Sequence, residues 1–243
     1  MDSSFESERI LLGQGKMAKV YLWNGFAYKC FRSGYPEDWI DYEMSVQDRI
    51  SKTTLPVVSY YHSEIPGSIK MDFIDGITLA DRIRSAKYKD GLKDLFSEFS
   101  QIHTIKDIDL PRLNPYLIHE ISSLAVDPSL KELALGYISD VQDEDILCHL
   151  DYHFLNLMHA GDTYYIIDWI NAKIGNPIYD FARTFVIMYE FAQRFSKKFL
   201  NMVKEECDFD DLELNKAIFV MALHRLTESD NKKVRQLVYE MLS

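Results

Sequence analysis

Three polar residues constrain this chain more than any other feature: Asp151, Asn156 and Asp168, each set beside a short apolar run. Ile146-Leu147-Cys148 reads as a strand leading into His149-Leu150-Asp151-Tyr152-His153-Phe154-Leu155-Asn156, and Leu157-Met158 leads out. Asp168 stands twelve residues after Asn156 and ends the apolar strand Tyr164-Tyr165-Ile166-Ile167. An Asp, an Asn five residues on and a second Asp at the end of the next strand is a phosphoryl-transfer spacing. That chemistry needs one acceptor to orient an attacking hydroxyl and two oxygen ligands to hold magnesium on a nucleotide's phosphates. Asp151 suits the first role, and Asn156 and Asp168 suit the second. His149-x-Asp151-x-His153 also admits a metal-hydrolase reading, because alternate residues of an extended segment share a face. Cys148 and His159 complete no familiar ligand spacing around it.

The upstream third supplies what such a site lacks. Ile10 to Trp23 reads as strand, glycine turn, strand, and Gly13-x-Gly15 lets a backbone approach a phosphate with no side chain in the way. A Gly-x-Gly hairpin is commonly only a turn, so its weight comes from the lysine and the helix beyond it. Asn24-Gly25 marks a hairpin, and the next strand, Phe26 to Phe31, carries one cation, Lys29, among apolar and aromatic residues. Such a lysine is expected to have an anionic partner. Pro36 opens a predicted helix over Glu37 to Ile50, whose carboxylates Glu37, Asp41 and Glu43 are the candidates. Glu43, near the middle, is the preferred one. Strands are predicted over Leu55–Tyr61 and Ser68–Phe73.

With these residues in place the chain resembles a known family. His149-x-Asp151-x-x-x-x-Asn156 has the spacing of the protein-kinase catalytic loop. It is more similar to the aminoglycoside phosphotransferase and choline kinase family, whose loop usually reads His-Gly-Asp-x-His-x-x-Asn. Ile167-Asp168-Trp169 resembles that family's metal-binding Asp-Trp element, and Gly175-Asn176-Pro177-Ile178-Tyr179-Asp180 its following Gly-Asp-Pro-x-x-Asp. Leu150 replaces the usual glycine, and Phe154-Leu155 a common Pro-Gly.

The resemblance implies an α+β, bilobal, protein-kinase-like fold. Residues 1–74 would form a nucleotide-binding lobe of antiparallel sheet with one helix. Residues 75–243 would form a mostly helical lobe holding the catalytic loop and the substrate site. It further implies roles. The amides around Gly13 and Gly15 would cover the phosphates, with Ala18 in the place of a third glycine, and Val20 would contact the nucleotide. Lys29, held by Glu43, would contact the α- and β-phosphates. Met71, Asp72 and Ile74 would line the nucleotide at an inter-lobe connector. His149, His153 and Asp180 would brace the loop. The implied cofactors are ATP, with GTP left open, and Mg2+. The implied partner is a small-molecule alcohol.

The remaining sequence is expected to be helical. Leu79 to Arg84, capped by Thr78 or Asp75, precedes an amphipathic helix over Leu92–Ile105, in which His103 reads as a satisfied core histidine. Pro111 to Pro115 reads as a linker. Further helices are expected over Tyr116–Leu124, Ser129–Val141 and Pro177–Phe195, and through residues 196–243. Tyr152, Trp169 and Tyr179 are candidates to stack on a sugar or hold a quaternary amine. Six carboxylates between Glu205 and Glu213 read either as a solvated face or as a polyamine-like pocket.

Composition sets outer limits. With 243 residues, 47% of them hydrophobic, the chain can bury a large core. A net charge of −11, from 27 basic and 38 acidic residues, argues against a general nucleic-acid surface and is compatible with a cationic substrate. Three dispersed cysteines, an acidic N-terminus and no apolar run near ~18 residues point to a cytoplasmic protein without membrane partners. Nothing in the sequence sets an oligomeric state. A protein kinase is a weaker reading, because eleven residues between Asp168 and Asp180 leave no room for a peptide-docking activation segment. A non-catalytic nucleotide-binding module is the third reading, kept open by Leu150 and Phe154.

Overall fold

The computed structural model describes residues 3–85 and 87–242. The N-terminal part is an antiparallel five-stranded sheet. Its strands are β1 (Ile10–Gln14), β2 (Ala18–Trp23), β3 (Phe26–Phe31), β4 (Tyr60–His62) and β5 (Ser68–Asp72), in the order β1-β2-β3-β5-β4. Asn24 and Gly25 take φ 47° and 79°, the double left-handed turn that matches strand twist in a two-residue hairpin. A helix precedes the sheet: α1 (Ser3–Glu8) inserts Phe5 edge-on against Trp23 and Tyr28, at ring distances of 5.4 and 5.5 Å. The acidic N-terminus gave no sign of this second helix, because one buried aromatic anchors it and no apolar period runs through it. The expected helix α2 (Glu37–Ile50) forms over the residues expected. The strand expected over Leu55–Tyr61 forms only from Tyr60. Pro56 has no N–H for a ladder, and its carbonyl instead accepts from Ile166 N (3.0 Å), tying the sheet to the following lobe.

After β6 (Ile77–Thr78) the chain is mostly helical. The helices α3 (Leu79–Ser85), α4 (Gly91–Ile102), α5 (Leu113–Ser123) and α6 (Pro128–Asp140) lead to the short strands β7 (Ile146–Cys148), β8 (Leu157–Ala160), β9 (Thr163–Ile166) and β10 (Lys173–Gly175). Then come α7 (Pro177–Phe191), α8 (Gln193–Glu206), α9 (Asp211–Glu228) and α10 (Lys232–Glu240). Thr78 is the residue that caps α3, its hydroxyl accepting from Asp81 N at 3.1 Å. The linker expected at Pro111–Pro115 is instead the start of α5. Pro115 lies in the first turn, where its missing N–H has no intrahelical partner to lose. The single long helix expected over Pro177–Phe195 breaks at Ala192 (φ −139°, ψ 45°) into α7 and α8.

Helix α7 is buried on all sides and packs against α8, α9 and α10, which makes it the axis of the helical lobe. Most of the core lies here, from Leu95 and Phe99 to Val238. The polar residues inside this apolar axis, Asp180, Arg183, Thr184 and Glu190, each need a partner. Those partners build the site.

Candidate active site

The segment after β7 is held as a rigid loop by groups that reach it from α7. The carboxylate of Asp180 accepts from His149 N (2.7 Å) and Leu150 N (2.8 Å), and His103 Nε2 lies 3.1 Å from it. Arg183 Nε donates to Leu150 O (3.2 Å), while its NH2 group bonds both oxygens of Glu228 at 2.6 and 2.7 Å. Thr184 donates to Tyr152 O, and Ala80 N to Phe154 O. Leu150 takes φ 60°, a left-handed conformation that an L-residue reaches at a cost of ~1–2 kcal/mol. Its amide, its carbonyl and its buried side chain are all engaged, which holds the path that a glycine would take freely.

This loop turns Asp151 outward. One of its oxygens lies 3.3 Å from Asn156 Nδ2, which also donates to Asp151 O at 2.9 Å, and 3.8 Å from His153 Nε2. Burial pushes the Asp151 carboxyl above its usual value, opposed by His153 and Arg183. The His149 ring is fully buried, with Nδ1 accepting from Asp151 N and Nε2 set to donate to Ile167 O (3.1 Å). Burial holds that imidazole below its usual pKa. Both ring nitrogens of His149 are thus taken by backbone groups, and the metal-hydrolase arrangement of these three does not form among the described residues.

Across the cleft the sheet register does the positioning. Gly13 pairs with Val20, and Val20 with Lys29, so the glycine turn, the valine and the lysine form one row over three strands. Directly opposed residues share a sheet face, as do residues two apart. Ala27 and its partner Met71 therefore lie on the face of Val20 and Lys29. A Cβ on Gly13 would meet nothing within 4 Å, so the space before it is open. Lys29 Nζ sits 2.7 Å from Glu43 Oε1 and 3.1 Å from Asp168 Oδ1. Of the three candidate carboxylates on α2 it is Glu43 that makes the pair. Tyr60, a residue the sequence reading missed, adds its hydroxyl to Glu43 at 3.3 Å. Burial opposes the charge on Lys29, but Asp168 and Glu43 outweigh it and hold its ammonium above the usual range. Burial likewise opposes ionisation of Asp168, and Lys29 reverses it, leaving that carboxyl below its usual value.

The connector is less uniform. Gly76 passes so close to the β8 strand that a Cβ would stand 2.4 Å from His159 O, so only glycine fits there. Asp72 has spent its polar groups on the strand beside it: its carboxylate accepts from Ser59 N and Tyr61 OH at 3.0 Å each, and its amide donates to Ser59 O. Ile74 O accepts from Gly76 N at 3.0 Å. Tyr152, Trp169 and Tyr179 are core residues with almost no exposed surface, so none of them stacks on a ligand. The acidic stretch is no pocket: Asp210 caps α9, accepting from Leu212 N and Glu213 N, and most of its neighbours face solvent.

Residues 40–206 match the sequence profile of the phosphotransferase enzyme family, well over half of the chain. The chain belongs to that family. It is a phosphotransferase with a kinase-like fold. Among solved structures it is similar to a thermostable mutant of aminoglycoside phosphotransferase APH(4)-Ia in ternary complex with AMP-PNP and hygromycin B, with a TM-score of 0.65 at 13% identity over 97% of this chain and 90% of the other. A choline/ethanolamine kinase family protein from Mesorhizobium loti gives 0.64 at 11% identity, over 98% and 87%. Choline kinase LicA from Streptococcus pneumoniae gives 0.59 at 16%, over 98% and 94%. No curated protein sequence matches. Two positioning groups had escaped the sequence reading, Arg183 and its partner Glu228. An arginine inside a helix with no polar face was the available signal, because a charge placed there must be paired.

Proposed function

We propose that the protein is an ATP-dependent small-molecule kinase, with residues 1–74 holding the nucleotide and residues 75–243 carrying the catalytic loop and the acceptor. The observation that carries this reading is that Lys29, held by Glu43 on the sheet side, reaches Asp168, which follows the residue whose amide bonds Asn156 O, while Asn156 in turn holds Asp151. In the reaction the acceptor's hydroxyl oxygen bonds to the γ-phosphorus, the bond from that phosphorus to the β–γ bridging oxygen breaks, and the diphosphate leaves. Asp151, an ionised carboxylate at the loop's outer edge, orients the hydroxyl and takes its proton late. Little covalent work falls to side chains, so positioning and charge neutralisation dominate.

Magnesium is the implied cofactor, and the donor set fits it. Asn156 uses its amide nitrogen on Asp151, leaving its side-chain oxygen without a hydrogen bond among the described residues. Asp168 is kept ionised beside Lys29. Hard oxygen donors of this kind suit a small dication, which when bound neutralises phosphate charge. Lys29, fixed by Glu43, holds the phosphates, and the open space at Gly13 admits them. Val20, Met71 and Ile74 line the base. Asp72 is assigned to the fold of the connector. The nucleotide in this reading is ATP, with GTP as the competitor to test, and the three free thiols suit a cytoplasmic setting.

The acceptor is a small molecule bearing a hydroxyl. An aminoglycoside or choline-type cation, favoured by the acidic chain as a whole, would have to bring its charge against Arg84, Arg194, Arg225 and Lys233 beside Asp151. Calorimetric titration with Mg-ATP and Mg-GTP, followed by turnover assays over a panel of alcohols, tests the reading. Micromolar-range nucleotide binding that depends on magnesium, and acceptor-stimulated release of ADP, are expected. Absence of magnesium-dependent nucleotide binding would remove it.

A further inference from the structure

Beside Asp151 lies a cavity of about 770 Å³. Ile83, Phe154, Ile187, Met188 and Phe191 give it apolar walls. Its charged lining has one sign. Arg84 comes from α3, Arg194 from the start of α8, Arg225 from α9 and Lys233 from α10, against the single carboxylate of Asp151. On a chain of net charge −11, four cations around one carboxylate invert the balance of the whole.

The four differ in how far their charge is already spent. Arg84 is exposed and pairs with Asp81 at 3.2 Å. Arg225 is fixed by Glu190 Oε2 (2.8 Å) and by Glu228, which also holds Arg183. Lys233 gives its ammonium to the uncharged carbonyl of Glu190 at 2.9 Å, and the Arg194 guanidinium lies over the Phe195 ring at 4.7 Å. Neither Lys233 nor Arg194 has a carboxylate partner among the described residues, so both are available to a ligand.

We propose that the phosphate acceptor is an anion: a small alcohol with an apolar stem and a carboxylate or phosphate group. Its hydroxyl meets Asp151, its stem lies on Phe154, Ile187 and Met188, and its charge is met by Lys233 and Arg194 with Arg225 behind them. The inference rests on the kinase reading and refines it. An ammonium in the same place would face the two cations that have no carboxylate partner, Lys233 and Arg194, whereas an anion there gains charge-assisted hydrogen bonds.

Four alcohols with the same unbranched stem test this: hydroxyhexanoate, hydroxyhexyl phosphate, hexanediol and aminohexanol. Each is assayed with the intact chain and Mg-ATP, and phosphorylated product is read by phosphorus NMR. The anionic acceptors are expected to exceed aminohexanol in kcat/KM by about 10–100-fold, the worth of one or two hydrogen bonds to a charged group. The carboxylate and phosphate arms decide which anion is preferred. Equal use of the four, preference for aminohexanol, or no acceptor used while Mg-ATP still binds would each overturn the proposal. Loss of Mg-ATP binding itself would instead strike the kinase reading. Lys233→Glu provides an independent arm, since it lies at the solvent-facing start of α10, where a carboxylate suits the helix dipole. It should raise KM for the anionic alcohols and lower it for aminohexanol. An unchanged preference in the folded variant would exclude Lys233 from acceptor binding.

Discussion

The two sides of the cleft are built on opposite electrostatic plans. At the proposed nucleotide site the buried lysine is held inside the protein: Lys29 lies between Glu43 and Asp168, and Tyr60 adds its hydroxyl to Glu43. In the cavity proposed for the acceptor, Lys233 and Arg194 are left without carboxylate partners among the described residues, and the surrounding walls are apolar. The first arrangement fixes geometry, as the proposed binding of a triphosphate requires. The second leaves charge to be satisfied by a ligand, which is how a pocket chooses among acceptors. Chemistry and selectivity are thus held by different residues, and each can be disturbed alone.

The largest effect expected is on Asp151. Asp151→Ala should lower acceptor phosphorylation by about 10³-fold, the usual worth of a positioned proton acceptor, while leaving Mg-ATP affinity within a few-fold by calorimetry. Activity near wild type in that variant would break the division between the two sides. Asp168→Ala should act on the other side, abolishing the magnesium dependence of nucleotide binding in the same titration. Arg183→Gln removes a buried cation that holds both Glu228 and the loop carbonyl of Leu150. It should cost about 1.5–3 kcal/mol in urea unfolding, because the charge-assisted bonds to Glu228 and to Leu150 O are lost while Glu228 keeps Arg225.

Leu150→Gly sharpens the comparison further. Relief of the left-handed conformation returns ~1–2 kcal/mol, and loss of a buried leucine side chain costs ~2–5 kcal/mol. A net loss of roughly 0–4 kcal/mol is expected by difference. A stabilised glycine variant would mean that the loop gains nothing from the Leu150 side chain.

The smallest effects are those of pH. The Asp151 carboxyl is raised by burial, so the folded state binds that proton more tightly than the unfolded chain does. Its ionisation therefore costs stability above its folded pKa, and Asp151→Asn should raise the melting temperature slightly at neutral pH. In the proposed reaction the ionised form is the active one, so turnover should fall with acid at a higher pH than an ordinary aspartate would set. Asp168 runs the other way: its folded value is lowered, so its contribution is present above the unfolded pKa and lost as pH falls through the folded one. Asp168→Asn should lower the melting temperature at neutral pH. Melting curves of both variants across pH check the two signs together.

What lies close along the chain was legible. The helix Glu37–Ile50, the Asn24-Gly25 turn and the spacing from His149 to Asp168 are local patterns, and each states its own geometry. The pairing of Lys29 with Glu43 could be narrowed to three carboxylates from the chain alone, and the fold then selected one. What failed was what depends on distant neighbours. Phe5 anchors a helix in a polar stretch, and Pro115 opens a helix where a linker was expected. Tyr152, Trp169 and Tyr179 lie near the site in sequence yet turn into the core.

By itself, then, the sequence determined the phosphoryl-transfer chemistry and the kinase-like fold class, because both are written in short spacings between a few polar residues and the apolar runs around them. Only the tertiary structure decided the charge of the cavity beside Asp151. Its cations come from four helices spread between Arg84 and Lys233, and no local pattern records that they meet. A net charge is a sum over the whole surface, whereas an acceptor feels the few groups within a screening length of ~8–10 Å.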